Sequence, residues 1–276
     1  MTNFAEDIEQ VGYTLVKQAF TRDEIKRLRS SLQRYFEHGG DYTYLFGGKA
    51  RPDAFNAEGL ADIVWLLSNE RIAQALKAIA GPDVLFCRHS DAHCNLISGW
   101  HKDDTGYGTT DHWGLTESGE EYAVYKIGLY LDDHGDDDPT SSPLRVRKGS
   151  HRSRGLEEGE VVAIHTEVGD AIIFDCRITH MGLSDILLEN KVSRLYRRFV
   201  ESLPTPEKKY QARMLYRHMR GIPDRYALFY VFGRPNQFSQ DHIAGNVRRQ
   251  MEQSGDATAS LSENVVRELT KAGISY

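Results

Sequence analysis

Cysteine is scarce in this sequence. Only Cys87, Cys94 and Cys176 occur among 276 residues, and no two form a CxxC pair. An odd count without pairing excludes a disulfide framework and gives no thiolate zinc site, so a reducing, cytoplasmic setting is expected. Long apolar runs are lacking as well. The clearest, such as Ala227 to Phe232, fall far short of the roughly 20 residues a membrane-spanning helix needs. The opening residues MTNFAEDIEQ lack the basic-then-apolar order of a secretory signal, and none is expected. Positive charge is not in excess either. The net charge is −6, which leaves no global basic field for a nucleic-acid backbone. Repeats and low-complexity tracts are also missing. What remains is 40% hydrophobic and 27% charged, the composition of a globular protein long enough to bury a full-sized core.

The opening pattern reads as a strand and then a helix. Gly12 to Lys17 carries β-branched residues, and Thr21-x-x-Glu24 has the form of a capping box. Ile25, Leu28, Leu32 and Tyr35/Phe36 follow at helical spacing until Gly39-Gly40. A loop rich in Gly, Pro and Asn leads to a second helix over Asn69 to Ala80, stopped by Gly81-Pro82. From Asp83 to about Glu201 short apolar runs alternate with polar turns. Val84 to Phe86, Ala123 to Leu131, Val161 to Ile164, Ala171 to Phe174 and Val192 to Val200 are the strand candidates. Beyond Pro204 the pattern is helical and mixed, with Tyr226 to Phe232 a further strand. The expectation is one domain over 1–276, mainly β with flanking helices: an N-terminal helical and strand region (1–82), a jelly-roll core (83–201) and a C-terminal extension (202–276).

Chemistry concentrates at Trp100-His101-Lys102-Asp103. In extended chain, residues i and i+2 project to one side, so His101 and Asp103 can share a ligand while Lys102 points away. An imidazole and a carboxylate on one side supply two members of a two-histidine, one-carboxylate facial triad, the ligand set of non-haem iron(II) oxygenases. A lone HxD is weak evidence. The third ligand must come from a distant strand. His180 is the best candidate, just past Gly169-Asp170-Ala171-Ile172-Ile173-Phe174 and just before Gly182. Arg194 follows in an apolar stretch that reads as the next strand. An arginine held inside a sheet needs an anionic partner, and the distal carboxylate of 2-oxoglutarate suits its fork. Arg198 would share its face on a regular strand.

In order, GYTLVKQAFTRDEIKRL, WHKDD, LYLDDHGDDDPTSSPLRVRKGSHR, EVGDAIIFDCRITHMG and Arg194 resemble the phytanoyl-CoA dioxygenase family over most of residues 12–200. The resemblance implies a double-stranded β-helix (jelly-roll, cupin-like) that binds iron(II) and 2-oxoglutarate. It implies oxidation of a small-molecule substrate with dioxygen. His101, Asp103 and His180 match the family's metal ligands, and Arg194 matches its co-substrate arginine. Asn95 is placed by resemblance at the metal-side carboxylate of 2-oxoglutarate, and Tyr125 at its far end. The histidine-to-arginine interval is longer here, by an insertion around Ile186 to Asn190, and the segment His93-Cys94-Asn95-Leu96 lacks a lysine that many members carry. Related halogenases have glycine or alanine where Asp103 stands, so the carboxylate implies hydroxylation or another oxidation.

Other features are read as structural. The acidic run Asp132 to Asp138 lacks EF-hand spacing, and His89 and His93 would not converge in extended chain. Gly149-Ser150-His151 is a turn and not a nucleophile elbow. Arg145, Arg147, Arg152 and Arg154 form a solvated patch, and Thr105 to Tyr122, with Trp113, is expected to cover the site as a lid. Two rivals stand beside the oxygenase reading: a metal-dependent isomerase or hydrolase on a cupin-like barrel, opposed by Arg194, and a non-catalytic ligand-binding barrel, opposed by the intact triad.

Overall fold

The structure is a computed structural model and describes residues 3–104, 111–132, 143–182, 191–254 and 260–276. Helix α1 (Phe4–Val11) ends at Gly12 and passes into β1 (Tyr13–Val16). The capping box is realised at α2 (Arg22–Glu37): the Thr21 hydroxyl accepts from the Glu24 amide, and the Glu24 carboxylate accepts from the Thr21 amide. The stretch read as a loop contains instead a hairpin, β2 (Thr43–Leu45) and β3 (Gly48–Pro52), and then two 3-10 turns. Helix α3 (Glu70–Ala80) is capped by Asn69 and stopped at Gly81. The core strands are β4 (Leu85–Cys94), β5 (Val124–Tyr130), β6 (Leu144–Lys148), β7 (Glu160–Ile164), β8 (Ala171–Asp175) and β9 (His180–Met181). After them come α4 (Lys191–Ser202), α5 (Pro206–Met219), β10 (Tyr226–Gly233), α6 (Gln237–Ser254) and α7 (Glu263–Ala272).

Among the described residues the strands form two sheets, one in the order β1-β8-β5-β10-β4-β3-β2 and one in the order β7-β6-β9. All their pairings are antiparallel. Strands β8, β5, β10 and β4 make one wall of a double-stranded β-helix, and β7, β6 and β9, joined by a bridge from His101 to His180, make the other. The two-residue period of a strand sorts the side chains between them. On β5, Tyr125, Ile127 and Leu129 enter the core cluster that α2 and α3 cover with Leu28, Leu32 and Leu76. Each of those three leucines is fully buried and contributes roughly 1.5–3 kcal/mol. On β8, Ile172 and Phe174 face the other way, into a cluster with Leu144, Val146 and Ile164.

Three further expectations change. Val192 to Val200 is not a strand but part of α4. Its apolar residues Val192, Leu195 and Phe199 recur at three- and four-residue intervals, the helical period and not the strand period. Strand β10 sits between β5 and β4, so the segment expected as an extension supplies a central strand of the large sheet. Strand β6, absent from the expected set, carries alternating Leu144, Arg145, Val146 and Arg147, which is the pattern of a half-buried strand.

Gly169 turns the chain into β8 with φ +98°, and a Cβ there would lie 2.2 Å from the Phe20 carbonyl oxygen. Gly169→Ala is therefore expected to lower the unfolding free energy by about 1–3 kcal/mol. Urea denaturation measures this, and an unchanged midpoint would mean that the turn is not constrained as described.

Candidate metal centre

The HxD segment is positioned from both sides. The His101 amide donates to the His180 carbonyl at 3.0 Å, and the His180 amide donates to the His101 carbonyl at 2.9 Å. The amides of Asp103 and Asp104 both donate to the Cys176 carbonyl, each at 3.1 Å. Alternation then separates the side chains as expected. The Lys102 ammonium turns away to donate to the carbonyls of Ser150 (2.7 Å) and Arg177 (2.6 Å). Asp104 is fully buried, accepting from the Tyr122 hydroxyl and lying 3.0 Å from His112 Nδ1. With residues 102 and 104 tied down on one side, His101 and Asp103 project together on the other.

His101, Asp103 and His180 each offer one ligand atom, and the three atoms lie within 4.8 Å of one another. The tautomers follow from the hydrogen bonds. Each imidazole presents Nδ1 to the carbonyl two residues earlier, His101 to Gly99 at 2.8 Å and His180 to Ile178 at 3.1 Å. A carbonyl only accepts, so Nδ1 carries a proton and Nε2 is the nitrogen left to bind a metal. Those Nε2 atoms face opposite oxygens of Asp103, at 3.7 Å from His101 and 3.6 Å from His180. Burial pushes the His180 imidazole down to about 3 despite the nearby Asp103 charge, which keeps its lone pair available. Burial alone would raise the Asp103 carboxyl, but the Lys126 ammonium and the two imidazoles hold it well below the usual range. Two imidazole nitrogens and one carboxylate oxygen converging in this way fit a divalent first-row metal with coordination positions left for other ligands.

The other expected site residues separate. Asn95 lines the same cavity, yet its φ is +56° and its side chain ties the end of β4 to the start of β10. Its amide donates to Asp224 Oδ1 at 2.7 Å, and its oxygen accepts from the Arg225 amide at 3.0 Å. Tyr125 lies in the core cluster on the outer face of β5, not among the cavity-lining residues. Arg194 falls on α4, away from the expected strand, and its side chain lies outside the described residues, as do 105–110 of the expected lid and 133–138 of the acidic run. The rest of the lid is anchored: the Trp113 indole donates to the His151 carbonyl at 3.1 Å. Two of the four patch arginines are ion-paired, Arg147 with Glu157 and Arg154 with Asp111.

Three groups in the cavity escaped sequence reasoning. Lys126 stands between outward-facing Tyr125 and Ile127, and a lone lysine in the apolar run VYKIGLY was the available signal. Arg225 immediately precedes β10 and shares the parity of Ala227 and Phe229, which also line the cavity of about 170 Å³. Arg249, from α6, forks onto both oxygens of Asp91 at 3.0 and 3.1 Å. No local pattern marks either arginine.

A double-stranded β-helix with a two-histidine, one-carboxylate centre is the architecture of a non-haem metal enzyme. The phytanoyl-CoA dioxygenase (PhyH) profile matches residues 8–184, and the chain belongs to that family. No curated protein matches it. Among solved structures, the 2-oxoglutarate-dependent carbocyclase SnoK of nogalamycin biosynthesis is similar at 15% identity and TM-score 0.56, over 85% of this chain and 84% of that one. The epimerase SnoN of the same biosynthesis is similar at 13% identity and TM-score 0.55, over 84% of this chain and 82% of that one. HygX from Streptomyces hygroscopicus, solved with nickel and 2-oxoglutarate, is similar at 12% identity and TM-score 0.52, over 85% and 88%. At these identities the likeness is one of fold.

Inward-facing β4 also carries His89 and His93. Burial pushes them to about 3 and about 4, whereas an unfolded histidine titrates near 6.5. Below pH 6.5 the unfolded chain binds more protons, so stability present above that value is lost as the pH falls toward 4. The denaturation midpoint of chelator-treated protein should drop between pH 7.5 and 5, and drop less steeply in His93→Gln. Equal slopes for the two proteins would contradict neutral burial of His93.

Proposed function

We propose that this chain is an iron(II)- and 2-oxoglutarate-dependent enzyme that uses dioxygen to oxidise a C–H bond of a small-molecule substrate. The observation that carries this reading is the convergence of one ligand atom each from His101, Asp103 and His180 within 4.8 Å, in a member of the phytanoyl-CoA dioxygenase family. Both imidazoles are locked in the metal-binding tautomer by carbonyl acceptors. Bound iron and 2-oxoglutarate would supply the oxidation. This chain's residues hold the metal, orient the co-substrate and wall the reacting atoms from water.

Arg225 is the residue proposed here for the distal carboxylate of 2-oxoglutarate, in place of Arg194. It lines the cavity at the head of β10, a strand of the main sheet, and its planar fork fits a carboxylate bidentately. The intact carboxylate at Asp103 occupies a position that a halide would need, which favours hydroxylation. Oxidation at a C–H bond is a step that hydroxylation can share with the epimerisation and carbocyclisation of the structurally similar SnoN and SnoK.

Iron(II) titration should saturate at one equivalent per chain, and Asp103→Ala should lose at least about tenfold in metal affinity while its melting temperature without metal stays close to the parent's. Unaltered metal affinity defeats the triad. With nickel bound, Arg225→Lys should weaken 2-oxoglutarate binding about tenfold, whereas Arg194→Lys should leave it unchanged; the reverse order returns the role to Arg194. Succinate formed only in the presence of an added candidate substrate then identifies the substrate.

A further inference from the structure

Lysine is almost never buried unless its charge is paired and its donors are used. Lys126 stands in mid-strand on β5, opposite Val231 of β10 and Phe174 of β8, with a side chain only 9% exposed. Its ammonium has three N–H donors. Among the described residues one is used, on Asp103 Oδ2 at 3.0 Å, and the head also lies 5.2 Å above the Phe229 ring. Both Lys126 and Phe229 line the cavity that holds the triad. Across it, on β4, His93 contacts Phe229 through its ring and shows no hydrogen bond from its nitrogens among the described residues.

The charge count makes the spare donors informative. Asp103 and Lys126 neutralise each other. A divalent metal on the triad raises the sum over these three groups to +2, and Arg225 on the same cavity wall adds a further positive charge. The bound state therefore leaves positive charge uncompensated, which is costly where it is removed from water. The neighbouring Arg249–Asp91 pair is already balanced and adds nothing.

The geometry points to Lys126 as a second carboxylate-binding group of the catalytic cavity, distinct from Arg225, with His93 on β4 offering a further ring nitrogen to the same ligand. This inference rests on the oxygenase reading above. The carboxylate has two sources, the metal-side carboxylate of 2-oxoglutarate or a carboxylate borne by the substrate. If Lys126 merely balanced Asp103 it would affect stability and metal affinity but not the binding of anions.

The test uses full-length protein loaded with nickel, comparing the parent with Lys126→Met and Lys126→Arg by calorimetry. Nickel and 2-oxoglutarate binding to the parent comes first; if that fails, the oxygenase reading fails and not this one. With binding established, a loss of about tenfold or more in 2-oxoglutarate affinity in Lys126→Met, recovered at least in part in Lys126→Arg, assigns the co-substrate carboxylate. Unchanged 2-oxoglutarate affinity, with benzoate binding the nickel- and 2-oxoglutarate-loaded parent but not Lys126→Met, assigns a substrate carboxylate. If both ligands bind Lys126→Met as they bind the parent, or if neither effect is seen, the proposal is overturned. Lys126→Gln keeps a polar head and serves the same comparison should the methionine variant not fold.

Discussion

Two backbone hydrogen bonds between His101 and His180 govern the site. They are the point at which the segment after β4 and the start of β9 become neighbours, so two residues far apart in sequence present their imidazoles to one carboxylate. The ring proton of each histidine is assigned by a carbonyl two residues back in the same chain. Backbone pairing sets the distance and local chain direction sets the tautomer. Neither depends on a mobile side chain, which is what a metal site needs in order to be formed before its ion arrives.

Strand alternation supplies the rest of the chemistry. Along β5 and β10, every second residue packs outward under the helices; of the intervening ones, Lys126, Tyr130, Ala227 and Phe229 line the cavity, while Val124 and Val231 join a separate buried cluster. Lys126, Ala227 and Phe229 are cavity residues because Tyr125, Leu228 and Tyr230 are core residues. The same rule turns Asp91 and His93 inward, and burial then raises the cost of their charge. Asp91 is held ionised by Arg249 and His89, while His93 is pushed toward neutrality. Packing of the outer face thus fixes the electrostatics of the inner one.

Closing the barrel draws on chain well beyond the matched family region. Strand β10 and helix α6 lie after residue 184, yet β10 separates β5 from β4 and α6 delivers Arg249 to the cavity. The helices α4 and α5 stand between β9 and β10. This insertion explains why the arginine first met after His180 is not on a sheet strand: the chain leaves the barrel and returns to it at Arg225.

Read alone, the sequence was enough for features whose determinants are local. The capping box at Thr21, the helix over Asn69 to Ala80, the strands around residues 123–131 and 171–174, and the shared side of His101 and Asp103 all follow from residue spacing within one element. Family resemblance added the fold and His180. Tertiary structure decided what spacing cannot carry. It made Asn95 a tie between strands, put Tyr125 in the core and Lys126 in the cavity, turned 192–200 into helix, and brought Arg225 and Arg249 to the site. The physical reason is that burial face and partner depend on which strands pair, and pairing is settled by long-range hydrogen bonds and by the helices that cover the sheet, not by the order of neighbouring residues.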